Sequence, residues 1–333
     1  AVWHQSDGTR HNIWANHYTA ATNLWGGAQK LEDGLGTAAY SSVGIDDDGN
    51  AVVVWTQHNG TSYNIWANYY TAVTNSWGTA ERVETDNTGD AFYPVVAVEK
   101  GGNAMVVWMQ SRSIGSPEWD AWANRYVVGV GWGEAEKIET NDIGGVDYPT
   151  VAVDNNGNAI AVWQQGIPAI YANRYVAGSG WGTAELIEEN AQPAERPAVA
   201  MDSGGNAVVL WSQVDGVRTK IWANRYVTSS GWGTAELIET NDIGSARRPA
   251  VSVGTGAIAM AVWQQSDGIR NNIWANRYVM GVGWGNAKII ETNNELGDGN
   301  ASVAMDGSGN TIAVWQHSDG IYDSIWANRY HVQ

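Results

Sequence analysis

Six positions at a near-constant interval carry flat or polar side chains: Tyr40, Tyr93, Tyr148, Arg196, Arg248 and Asn300. Four of them precede a proline, at Pro94, Pro149, Pro197 and Pro249. Tyr and Arg each combine a planar surface with hydrogen-bond donors, which suits a polar ligand that also has apolar faces. Glu118, Trp119 and Asp120 stand apart for another reason, since they lie in an expanded segment, Gln110–Asp120, where other copies are shorter. An aromatic ring between two carboxylates offers stacking beside hydrogen-bond acceptors. Asp267 and Arg270 fall in the corresponding segment of a later copy. Together these residues are the expected ligand contacts.

Signatures of catalysis are missing. The sequence has no G-x-S-x-G, no phosphate-binding loop and no H-E-x-x-H. Glu118, Asp120, Asp147 and Glu195 are the carboxylates nearest the variable segments, but their spacing does not single out an acid/base pair. Asp46–Asn50 and Asp154–Asn158 look like the start of a calcium loop, yet lack the glutamate at its twelfth position. No catalytic residue, metal or cofactor is therefore expected.

The surrounding composition narrows the partners. Eighteen Lys and Arg against 35 Asp and Glu give a net charge of −17. Phosphate backbones and anionic bilayers need the opposite field, so nucleic acid is excluded. No apolar run reaches the roughly 18 residues of a membrane span. Ala1 opens directly on patterned sequence, so a mature chain without its leader is expected. With 44% hydrophobic residues a sizeable core is available. The absence of cysteine excludes disulfides and a thiol nucleophile.

These residues must be positioned by a repeat. Trp3, Trp55, Trp108, Trp163, Trp211, Trp263 and Trp315 recur about every 52 residues. Trp14, Trp66, Trp122, Trp222, Trp274 and Trp326, with Tyr171 completing the series, keep the same beat in I-W-A-N-R-Y, and G-W-G or a variant supplies Trp25, Trp77, Trp132, Trp181, Trp232 and Trp284. Each period divides into segments a to d, for example Val151–Asp154, Ala159–Trp163, Ile170–Tyr175 and Ala184–Glu188. All are short, β-branched or aromatic, and bounded by Gly, Asn and Asp, so each reads as a strand. The D-x-x-G-N linker between a and b is hairpin chemistry.

Four antiparallel strands per period describe an all-β chain, a β-propeller spanning residues 1–333 as one domain. Seven blades are expected, the first lacking a and the last lacking d; six blades plus an extra hairpin is the alternative. Residues before segment a would then ring the central channel, most of the Trp would pack between blades, and the Arg of segment c would pair with the first Glu of segment d.

The units V-A-V-D-x-x-G-N-A-x-A-V-W-x-Q, I-W-A-N-R-Y and G-W-G-T-A-E-L-I-E resemble Trp-rich propeller repeats of bacterial exported and surface proteins. More loosely, the architecture is similar to the seven-bladed propeller lectins. Neither a calcium-loop pattern nor the S-x-D-x-G-x-T-W box of sialidases is present. Extracytoplasmic location is what the resemblance implies. The expected function is a non-enzymatic, multivalent carbohydrate-binding module whose copies add avidity. A protein-interaction, assembly or adhesion module of a surface structure is the alternative. Glycans or a surface protein are the expected partners, with self-association through the incomplete blade.

Overall fold

The computed structural model describes residues 1–32, 34, 36–166, 168–292, 298–318 and 320–332. Among the described residues all regular structure is antiparallel strand, and no helix is long and apolar enough to cross a membrane. Contacts divide the chain into two compact units: Ala1–Ala161 with Tyr175–Ala184, and Val162–Arg174 with Glu185–Gln333.

The third repeat shows how the sequence makes a sheet. Segment a is Ala91–Val98, b is Ala104–Ser111 and c is Trp119–Val127, paired in that order. Every residue of b is buried, as its unbroken apolar run predicts for a strand covered on both faces. The outer strand differs from the expected d. It consists of two short pieces, Gly131–Trp132 and Glu136–Lys137, both hydrogen-bonded to c. G-W-G is thus part of the sheet edge, and the residues between the pieces interrupt the ladder. Breaking an edge into short pieces limits pairing with other chains.

At the D-x-x-G-N turn of the second repeat, Asp46 Oδ1 accepts the amides of Asp48 and Asn50 while Oδ2 accepts Asn50 Nδ2. Gly49 has φ of 84°, which explains glycine at that place. The aspartates that looked calcium-like are engaged by their own turns.

Tryptophan fills the space between sheets. Trp55, Trp108, Trp163, Trp211 and Trp263 are wholly buried, and each indole donates to the Gln two residues on, at 2.8–3.0 Å. In the first unit, Val52, Val54, Ile65 and Ala67 of the second repeat pack with Val96, Val106 and Trp108 of the third. In the second unit, Leu210 and Ile221 meet Trp263 and Trp274 in the same way. The G-W-G rings sit against the tyrosine of strand c, as with Tyr126 and Trp132 at 5.5 Å or Tyr226 and Trp232 at 5.4 Å. These repeated indoles are packing elements, so their sugar-stacking appearance is not itself a site.

Strand register revises the ion pair expected between c and d. Glu136 lies opposite Ala123 and Glu236 opposite Ala223. Arg225 still reaches Glu236 at 3.6 Å, but Arg125 bonds Glu99 at 2.6 Å instead. Each arginine also lies over a tyrosine of the following repeat, Arg125 over Tyr175 and Arg174 over Tyr226. The asparagine beside it is more consequential. Asn124 Nδ2 donates to Val83 O of the preceding repeat at 2.8 Å and its Oδ1 accepts the Arg125 amide at 2.7 Å. Asn68, Asn224, Asn276 and Asn328 make equivalent bonds to Leu31, Ile187, Ile238 and Ile290.

The glutamate that follows the outer strand is buried in five repeats, as Glu32, Glu84, Glu139, Glu188 and Glu239. Glu84 accepts the Ile65 amide at 2.7 Å, with Arg82 3.8 Å from its other oxygen. Burial dominates and pushes its carboxyl up to about 8. Folding therefore favours the protonated form. The corresponding stability is complete below the ordinary glutamate range and lost as pH rises through about 8. Two outcomes are expected. Glu84→Gln should flatten the fall in thermal midpoint between pH 5 and pH 9, read by circular dichroism. Asn124→Ala, which orphans a buried carbonyl, should cost about 1–3 kcal/mol in denaturant melts.

Candidate functional site

Five copies of segment a begin with a β-bulge among the described pairings. Phe92 pairs with Met109 and Val95 with Val107, leaving Tyr93 and Pro94 across from Trp108. The same shift leaves Tyr40 and Ser41 across from Trp55, Arg196 and Pro197 across from Trp211, and Arg248 and Pro249 across from Trp263. The first bulge residue is left-handed in six copies: φ is 54° at Tyr40, Tyr93, Arg196 and Arg248, and 51° at Tyr148 and Asn300. Glycine is the usual occupant of that conformation, and an L side chain there costs about 1–2 kcal/mol. The prolines are buried, whereas the tyrosines are exposed, Tyr40 at 45% and Tyr93 at 41%. Packing at the bulge thus falls to proline, and the strained residue turns a large polar side chain outward.

In the first unit these side chains converge. The Tyr40 and Tyr93 rings lie 4.4 Å apart. Their hydrogen bond is the main cause that pushes the Tyr93 phenol up to about 12, with burial and the nearby Tyr148 and Asp147 adding to it. Tyr93 is therefore a weaker acid than an ordinary tyrosine, which is itself protonated at neutral pH. Phe92 connects this group to the inserted segment, since its ring lies 6.2 Å from Tyr93, 5.7 Å from Trp119 and 4.6 Å from Tyr63. His58 continues the platform at 4.8 Å from Tyr63. Two candidates separated by 26 positions, Tyr93 and Trp119, are joined through the one phenylalanine of the sequence.

Behind Trp119 lies an ionic cluster. Arg112 reaches Glu118 at 2.8 Å, Asp120 at 3.0 Å and Asp142 at 2.8 Å. Lys137 reaches Asp142 at 2.9 Å and Glu139 at 3.0 Å. Burial, reinforced by a hydrogen bond with Asp120, pushes Glu139 up to about 8. Asp120, Glu139 and Asp142 bring carboxylate oxygens within 4.8 Å of one another, a donor set for a cation. Lys137 and Arg112 supply two positive charges that offset part of the charge of Glu118, Asp120, Glu139 and Asp142. Asp120 and Glu139 are buried, which makes them a support for the inserted segment rather than groups that face a ligand.

The second unit holds Arg196, Arg248 and Asn300. Arg248 Nη1 donates to Asn300 Oδ1 at 2.6 Å, and Asn300 Nδ2 donates to Gln316 Oε1 at 3.0 Å. Consecutive bulges are thus linked here through polar side chains, as Tyr40 and Tyr93 are linked through rings. Asp267 and Arg270 serve their own turn. Asp267 Oδ1 accepts the amides of Ile269 and Arg270, each at 2.9 Å, and these bonds hold its carboxyl down at about 2.

Phe92, Tyr63, His58, Arg112, Lys137, Glu139 and Asp142 were not among the ligand contacts expected from the sequence. A signal for Phe92 existed: it is the only Phe, at a position where other copies carry Ala39, Asp147, Glu195, Arg247 and Gly299.

No family model and no curated protein matches the chain. Solved structures do. A protein of unknown function from Dyadobacter fermentans is similar at 10% identity over 90% of this chain and 95% of that one, with a TM-score of 0.56. A ulvan lyase bound to a saccharide of glucuronic acid and sulfated rhamnose is similar at 11% identity over 86% and 79%, with a TM-score of 0.61. The intramolecular trans-sialidase of Ruminococcus gnavus is similar at 10% identity over 99% and 90%, with a TM-score of 0.53. The fold is that of the β-propeller.

These likenesses correct the expectation of a non-enzymatic carbohydrate-binding or assembly module, because chains sharing this fold over most of their length include a polysaccharide lyase and a sialidase. The physical reason is visible at the bulges. The copies are not equivalent there: one strained position carries Tyr, Arg and Asn in different copies, and one copy adds the Trp119 segment. A prediction isolates the strained position. Tyr93→Gly removes about 1–2 kcal/mol of left-handed strain and loses about 0.5–1.5 kcal/mol of ring contact. Its stability in denaturant should stay within about 1 kcal/mol of the parent.

Proposed function

We propose that the chain is an extracytoplasmic glycan-acting enzyme, with its reacting groups at the Tyr40, Tyr93 and Tyr148 bulges. The observation that carries this reading is Tyr93, an exposed phenol set by a strained bulge against the Tyr40 ring and beside an aromatic platform. Trp119, Phe92 and Tyr63 offer faces on which pyranose rings stack. The Tyr93 hydroxyl, protonated at neutral pH as an ordinary tyrosine is, can donate a hydrogen bond to a departing glycosidic oxygen at that edge. Asp147, whose charge contributes to the shift of Tyr93, is the carboxylate assigned the opposite role of base. The names of the ulvan lyase and the trans-sialidase support action on glycans. Seven blades in a single domain belong to the same proposal, and rest on the seven copies of segments b and c.

The test is turnover of a panel of uronate-containing, sulfated and sialylated glycans, followed by new reducing ends, unsaturated uronate and free sialic acid. Tyr93→Phe keeps the ring and removes the proton, so kcat should fall about 100-fold or more with an unchanged melting profile. Full activity in Tyr93→Phe on a substrate that the parent cleaves would overturn the assignment.

A further inference from the structure

The second unit contains a cavity that the reading above does not use. Lys288 lies opposite Ala275 in the sixth repeat. At the same register other repeats carry glutamate: Glu81 opposite Ala67, Glu136 opposite Ala123, Glu185 opposite Ala172 and Glu236 opposite Ala223. In the fifth repeat that glutamate neutralises Arg225 at 3.6 Å. The sixth repeat reverses the charge and leaves Arg277 on the same strand face as Lys288, because residues two apart share a face. Met260 lies opposite Arg277 and Val262 opposite Ala275, so that face has an apolar floor with two cations along it.

This face and the last sheet enclose a cavity of about 350 Å³. Arg277, Lys288 and the exposed Arg329 line it, with Thr311 and Asn328 as further polar groups. Among the described residues no carboxylate pairs with these three cations, although the chain as a whole carries a charge of −17. Arg277 Nε is buried without a hydrogen-bond partner among the described residues, and its guanidinium lies 5.3 Å from the centre of the Tyr330 ring.

We propose that this cavity binds a small organic anion, a sulfate, phosphate or carboxylate group on a body about the size of a monosaccharide. Like charges side by side on one strand face repel, and an oxyanion between them removes that cost. Arginine offers a planar fork that matches such oxyanions. Met260, Val262 and the Tyr330 ring take the less polar face of the body. The volume falls in the range of small-molecule sites.

Calorimetric titration with glucose 6-sulfate, glucose 6-phosphate, glucuronate, inorganic sulfate and glucose tests this directly. Saturable binding of at least one anionic sugar is expected, with no binding of glucose and a loss of affinity as salt rises. Lys288→Glu restores the residue that the repeat carries elsewhere, so it should fold with an unchanged melting profile and weaken the anionic sugar at least tenfold. Arg277→Gln should weaken it similarly. Inorganic sulfate binding as tightly as the sugar sulfate would show that the organic body contributes nothing and overturn that part. No saturable binding, or binding that Lys288→Glu leaves unchanged, would overturn the site. Since glycan turnover is assigned to the first unit, loss of binding here with turnover intact separates the two proposals.

Discussion

An asparagine of strand c holds successive sheets together within each unit. The outer strand pairs through only a few residues, so the carbonyl that follows, Val83 O or Ile187 O for example, lacks a partner within its own sheet. Left alone inside the protein it would cost about 1–3 kcal/mol. Asn124 and Asn224 supply the donor from the next repeat, while their own oxygens are taken by the amides of Arg125 and Arg225. This bond fixes how successive sheets meet, which the burial of indoles alone does not, since apolar contact is non-directional. Spacing between bulges follows from it, and with that the contact of Tyr40 with Tyr93 and of Arg248 with Asn300.

Strain lies at the opposite end of each sheet from the D-x-x-G-N turn. A left-handed residue survives when the structure around it over-determines its conformation. Here the ladder resumes two residues later and the proline is buried. What the chain gains is reach. A bulge re-aims one side chain out of the alternation of the strand, so a position that would lie flat in the sheet instead presents a phenol or guanidinium at its end. Because every copy has the same backbone at that point, the side chain is free to differ between copies, and chemistry can vary while the scaffold repeats.

Electrostatics divides the molecule in a similar manner. Buried glutamates such as Glu84 and Glu139 belong to the framework, each bonded to a backbone amide of strand c. Their displaced titration reflects burial more than any role toward a ligand. Tyr93 is different, since its shift originates in a neighbouring bulge residue at an exposed position. The reversal at Lys288 is a third case, in which one substitution turns the Arg–Glu arrangement of the repeat into a cationic face.

The period, the strands, the tight turns and the interior place of most segment-b tryptophans could be read directly from the residues, because a repeat displays the same local chemistry several times over. Tyr40, Tyr93, Tyr148, Arg196, Arg248 and Asn300 were legible as a series for the same reason. Their left-handed backbone was not, since φ at a bulge depends on the register of a partner strand more than ten residues away. Nor could spacing disclose that Phe92 joins Tyr93 to Trp119, or that Arg112 gathers Glu118, Asp120 and Asp142, because these contacts cross between strands and loops. Local pattern therefore determined the elements and their order. Only the packing of sheet against sheet decided which side chains meet, and so which of them can act together.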